Sequence, residues 1–294
     1  MSPDAALVAC RFLHDGAAML LWGAFATLSM LVPQDLAGEI GRRLQLFRFA
    51  AITVAVATTV AALPLEAASI GDGWGDAVNP TMVRDVLFES SVGQAWPAQA
   101  VAALLVLSTL ALRSPAYRIA TALTSGLLLA TLALTGHTAM QEGWLGTAHH
   151  LNDAVHVLAA GAWLGALAAL LPILRALDHP GQHADAGLAL KRFSRAGYVA
   201  VALVVASGVI NTMLTLGTWP TDWSSPYQAM LAAKIALVGL MIGIATVNRF
   251  VFVPHVARHS ARAATAIRFG TVTEIVLGLA VIDLVSRFGM LAPA

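Results

Sequence analysis

The sequence predicts an all-α fold, a polytopic membrane protein built as a bundle of eight transmembrane helices with both termini outside. Three observations carry that expectation. Of 294 residues, 58% are hydrophobic and only 11% charged, with a mean hydropathy of +0.76; a water-soluble globular chain carries about 25% charged residues. The apolar residues fall in runs of roughly 20, the length a helix needs to cross a hydrocarbon core of about 30 Å. The basic residues, finally, are shared unequally among the connections between those runs.

The first apolar segment, about 5–32, has no basic residue ahead of it in MSPDAALVAC. A cleaved secretory signal normally has one, so this segment is expected to stay as helix 1. The others cover about 47–69, 95–112, 117–136, 150–174, 196–217, 229–252 and 269–287. Each is too long for a transmembrane strand of about ten residues and none alternates strictly, so all eight are read as helices. In lipid a helix satisfies its own backbone hydrogen bonds. Residues 1–294 are expected to form a single integral membrane domain with no soluble domain.

Orientation follows from Lys and Arg. Arg42, Arg43 and Arg48 lie between helices 1 and 2, and Arg113 and Arg118 between helices 3 and 4. Arg175, Lys191, Arg192 and Arg195 join helices 5 and 6, and Arg249, Arg258, Arg262 and Arg268 join helices 7 and 8. The other side holds Arg11, Arg84 and Arg287, while Lys234 lies inside helix 7. Cytoplasmic connections carry the excess of basic residues, so these four are expected inside. The outer connection 70–94 is acidic and contains a short amphipathic stretch, expected to be an interfacial helix. Trp74, Trp96, Trp144, Trp219 and Trp223 fall near outer helix ends, as an aromatic belt does. A net charge of +1 gives no sign of a nucleic-acid partner. Cys10, the single cysteine, excludes an intrachain disulfide and a CxxC site. There is no nucleotide-binding motif and no catalytic residue is assigned, so the chain is not read as an enzyme.

Ionisable side chains inside a membrane are costly and face the bundle interior or a wet cavity. Here they gather at one depth. Cys10, His14 and Asp15 lie in the outer part of helix 1, and Glu66 near the outer end of helix 2. His137 closes helix 4, and His149, His150, Asp153 and His156 open helix 5. Asn211, Lys234 and Asp283 sit in the outer halves of helices 6, 7 and 8; the inner half offers chiefly Asn248 and Glu274. At about 100° per residue, His149, Asp153 and His156 line one stripe, with Trp163 continuing it and His150 leaning toward it. Cys10 and His14, four apart, share a face of helix 1.

Imidazole, thiolate and thioether suit copper, and carboxylates broaden the choice. The candidate metal ligands are His14, His137, His150 and His156, with His149, Asp153, Met140 and Cys10 as additional ligands or supports. Asp153 can fix the tautomer of a neighbouring ligating histidine. Structural readings stand beside these. An aspartate near a helix start caps it, an intramembrane histidine bonds a neighbouring helix, and Cys10 is a small residue at a helix end. His179 and His183 read as solvated loop residues, and Gly161, Gly165 and Ala166 as a site of close helix packing.

The motifs resemble a known family, the CopD copper-resistance (copper-import) membrane proteins. They are GHT at 136–138, HLNDAVHVLAAGAWLGAL at 150–167, RFSRAGYVAVALVVASGVINT at 192–212 and SPYQAMLAAKIALVGLMIGIATVNRF at 225–250. The opening RFLHDGAAMLLWGAF is similar to that family's first helix. The resemblance covers most of the chain, and the helix 5 motif is its specific part. It implies a protein of the bacterial cell inner membrane that handles copper ion, Cu(I) or Cu(II), beside a separate periplasmic CopC-like partner. It carries over to His137, His150, His156 and His14, with no counterpart for His149. The expected function is copper transport from periplasm to cytoplasm through an outward-facing histidine site, with Asn248 and Glu274 deeper on the pathway. Two alternatives stay open. One is a membrane protein with haem b moving electrons, using His14 with His156, or His137 with His150, as axial pairs. The other is a membrane copper-binding or delivery protein that does not transport.

Overall fold

The structure, a computed structural model, describes residues 1–113, 115–135, 143–256 and 261–291. The proposed ligands His137 and Met140 lie outside the described residues. The elements are α1 (Pro3–Met30), α2 (Gln34–Arg43), α3 (Gln45–Ile70), α4 (Pro80–Glu89), α5 (Ser91–Ser108) and α6 (Ala116–Ala130). They continue with α7 (Gly143–Ala176), α8 (His183–Leu216), α9 (Pro226–Val247), α10 (Val253–Val256) and α11 (Ala261–Phe288). The described residues contain no strand. Among the described residues, eight helical segments are long and apolar enough to cross a membrane, and they follow the eight expected runs in order. The amphipathic stretch of the 70–94 connection is α4.

Local chemistry explains the boundaries. Ser2, Asn79 and Ser225 each accept a backbone N–H of the helix they precede, and Pro3, Pro80 and Pro226 follow them. A capping side chain then a proline satisfies one orphan donor and needs no partner for the next. α8 stops at Gly217, whose φ of +68° is the left-handed cap that glycine supplies without strain.

Two helices outrun their expected limits. α7 begins at Gly143, not near residue 150, so His149 and His150 lie nearly two turns inside it. α8 begins at His183, which takes His183 out of the expected loop; its Nδ1 lies 2.7 Å from the Leu177 carbonyl. Each has 34 residues, about 51 Å at 1.5 Å per residue, which exceeds the hydrocarbon core of about 30 Å. The extra turns are the polar ends GWLGTAHH and HADAGLALKR, which belong beyond the hydrocarbon.

α1 and α7 form the middle of the bundle. Ala18, Leu21, Ala24 and Phe25 of α1 have no exposed surface. The two backbones meet at glycine: a Cβ on Gly23 would lie 2.3 Å from the Gly161 carbonyl oxygen, and one on Gly165 would lie 2.0 Å from that of Met19. The small-residue cluster expected at 161–166 is therefore a helix crossing. α3 and α6 flank α1, and α5 closes that side; α8 and α11 flank α7, and α9 leans on α11. α8 and α9 turn large apolar side chains outward, among them Val199, Leu203, Ile235 and Leu240, as lipid-facing helices do. Trp74, Trp144, Trp219 and Trp223 are exposed, whereas Trp96 turns inward and donates to the Thr59 carbonyl at 2.8 Å.

Candidate metal centre

His14 sits on α1 with 7% of its surface exposed. Its Nδ1 lies 3.1 Å from Thr58 Oγ1 on α3. The Thr58 hydroxyl spends its own hydrogen on the carbonyls of Val54 (2.7 Å) or Ala55 (3.0 Å). Its oxygen therefore accepts, and His14 Nδ1 carries the proton. That leaves His14 Nε2 with a lone pair, buried and without a hydrogen-bond partner. Cys10, one turn earlier, donates to the backbone carbonyl of the same Thr58 at 3.3 Å. Arg11 pairs with Glu66 at 3.4 Å and Ser69 donates to Asp4 at 2.5 Å, tying the start of α1 to the end of α3.

The α7 histidines repeat the arrangement. His150 Nδ1 lies 2.5 Å from the Ala133 carbonyl in the turn after α6; a carbonyl only accepts, so Nδ1 is again the protonated nitrogen. His156 Nδ1 lies 3.0 Å from Ser207 Oγ on α8. Ser207 donates to the Leu203 carbonyl at 2.5 Å, so it too accepts from the ring. A Cβ at position 208 would come within 3.2 Å of the His156 ring, which thus lies against Gly208. In all three imidazoles the neighbouring oxygen accepts from Nδ1, so the lone pair lies on Nε2. His149 is the most buried histidine of the stretch, 2% exposed.

The three rings are held by three different neighbours: His14 by α3, His150 by the turn after α6, His156 by α8. Among the described residues no three His, Cys, Asp or Glu side chains form a group that could hold a metal ion. His14 and His156, one of the haem axial pairs considered, are thus anchored to different helices. The hydrogen bond to Asp153 comes from Asn211 Nδ2 at 2.7 Å rather than from a histidine. Asn152 donates to Asn211 Oδ1 at 2.6 Å and to the Ser207 carbonyl at 2.9 Å, so amide, carboxylate and imidazole form one bridge between α7 and α8.

Thr58, Ser207 and Asn152 escaped sequence reading. A Thr or Ser in a long helix commonly bonds back to its own i−4 carbonyl, and nothing in the chain indicates that its oxygen also serves a ring on another helix.

Toward the other end of the bundle, Glu274 is 3% exposed and accepts from Asn248 Nδ2 at 3.1 Å, and Trp163 lines the same cavity. Gly270 leaves room for Asn248, whose amide nitrogen would lie 2.5 Å from a Cβ there. These three residues join α7, the end of α9 and α11 beside a cavity of about 120 Å³. Trp163 is seven residues after His156, so the polar stripe of α7 reaches this group after about 10 Å.

Residues 1–147 match the family described as copper resistance protein D-like, N-terminal domain, and residues 187–287 match copper resistance protein D. The inner membrane protein YebZ of Escherichia coli is 33% identical over 289 residues, 97% of this chain and 98% of that protein. The chain belongs to the copper resistance protein D family. A second member, copper resistance protein D of Pseudomonas syringae pv. tomato, is 37% identical over 216 residues, 70% of each chain. The copper transport protein CutJ of Bacillus subtilis is 31% identical over 195 residues, 63% of this chain and 36% of that longer one. No solved structure matches. The family relationship and the eight apolar helices make this a multi-pass protein of the bacterial inner membrane. Most of α7, with His149, His150 and His156, falls between the two matched segments, so the family models leave its histidines unassigned.

Proposed function

We propose that this chain moves copper ions from the periplasm to the cytoplasm, taking them up at the histidine-bearing end of the bundle. One observation carries the reading. His14, His150 and His156 each anchor Nδ1–H on an oxygen and leave Nε2 for a ligand, and His14 Nε2 is buried with no partner. Membership of a copper-resistance family supports copper as the ion handled. The basic residues gathered at the opposite end favour placing the histidines outside. His137 joins this set as a fourth ligand, and a separate CopC-like protein would deliver copper to it. Asn248, Glu274 and Trp163 are the next polar station along α7.

Copper analysis of the purified chain, followed by copper uptake into vesicles, tests the reading. Wild type is expected to bind and import copper, and His150→Ala and His156→Ala to lose both. Tight binding without uptake would point to a copper-delivery protein. A strong haem absorption band in the reduced protein would replace the copper reading with electron transfer.

A further inference from the structure

Arg48 and Arg118 are two deeply buried guanidinium groups at the basic end of the bundle, 3% and 6% exposed. Their surroundings are opposite. Arg48 donates to Thr121 Oγ1, to the carbonyl and hydroxyl of Thr109 and to Gln45, and stacks 4.7 Å from the centre of the Tyr117 ring. The Arg118 side chain makes no hydrogen bond or ion pair among the described residues, and its Nη1 is buried without a partner. A buried cation left unpaired is strongly destabilising.

Its position aggravates this. Arg118 lies in the first turn of α6, where the helix dipole already presents positive charge. A second cation is close: a Cβ on Gly38 of α2 would lie 3.6 Å from Arg118 Nη1 and 3.9 Å from Arg42 Nη1. Both guanidinium groups thus border the space above Gly38, which carries no side chain to fill it. Neither carboxylate of α2 answers them: Glu39 is paired with Arg43, and Asp35 forms no ion pair with either. Ser114 and residues 257–260, outside the described residues on the connections at this end, include no acid.

We propose that this pocket, between the glycine face of α2 and the start of α6, binds a phosphate group. Arg118 grips it from within and Arg42 from the rim, and the dipole of α6 favours an anion at its start. Arginine suits it because the planar guanidinium donates two parallel hydrogen bonds to phosphate oxygens. The phosphate can be the headgroup of an anionic phospholipid of the adjoining leaflet or a soluble phosphate; the chemistry is shared.

The test uses the full chain in nanodiscs of phosphatidylcholine or of phosphatidylglycerol at constant ionic strength. Thermal unfolding is followed in each, and inorganic phosphate is titrated into the phosphatidylcholine discs. A rise in Tm with phosphatidylglycerol alone identifies the lipid headgroup, and a rise with inorganic phosphate identifies the soluble anion. Arg118→Gln is expected to need at least tenfold more anion for the same shift. Arg42→Gln, at an exposed residue that leaves folding intact, is expected to weaken the response in the same direction. Gly38→Asp sets a carboxylate between the two guanidinium groups and is expected to make Tm independent of either anion. A wild-type protein indifferent to both anions would overturn the proposal, as would Arg118→Gln and Arg42→Gln responding like wild type.

Discussion

His14 Nδ1 stands 3.1 Å from Thr58 Oγ1, and that single contact fixes the proton on one side of the ring and aims the lone pair away from α3. Thr58→Val keeps the shape of the side chain and removes the acceptor. It leaves a buried N–H unpaired, at a cost of about 1–3 kcal/mol, and frees the ring to take the other tautomer. Unfolding is expected at lower temperature and copper affinity is expected to fall, while Thr58→Ser restores both.

Ser207 plays the same part for His156 from α8. Removing such an outer partner typically lowers metal affinity 10–100-fold. Copper titration of Ser207→Ala is expected to show a loss in that range with the fold intact. His179→Ala, at an exposed residue whose ring Nδ1 lies 3.1 Å from the Arg175 carbonyl, is expected to bind copper like wild type.

Glu274 lies apart from the three histidines, with Asn248 and Trp163. Glu274→Gln keeps the size and an acceptor oxygen but removes the charge. On the transport reading, copper bound per chain stays the same and uptake into vesicles falls at least tenfold. Equal uptake by wild type and Glu274→Gln would remove Glu274 from the pathway.

The α1–α7 crossing makes a stability prediction independent of copper. Gly165→Leu forces the backbones apart where a Cβ alone would lie 2.0 Å from the Met19 carbonyl oxygen. Overpacking typically costs about 1–3 kcal/mol, and a backbone oxygen in the way puts this case at the upper end. Thermal unfolding in nanodiscs is expected to show it, and Gly239→Leu, at a site with open space around it, is expected to leave Tm unchanged.

The eight spans were legible because lipid imposes length and hydropathy on every crossing helix. Their ends were not: GWLGTAHH has no residue that stops a helix before Gly143, so α7 runs on into the polar region. α2 was missed because QDLAGEIGRR is too polar and short to register among long apolar runs, although it buries Leu36, Ala37 and Ile40. At the site, His14, His150 and His156 stood out by being ionisable at one depth. Their anchors did not, because a hydroxyl or carbonyl that holds a ring on another helix has no signature in its own segment. Asp153 shows the same limit: spacing put it near the histidines, but packing gave it Asn211.

X-ray absorption at the copper edge, on the copper-loaded chain in nanodiscs, tests the central claim most directly. Ligation through the Nε2 atoms predicts strong imidazole multiple scattering that drops in His150→Ala and His156→Ala. A first shell without imidazole nitrogen, or one unchanged in both variants, would contradict it.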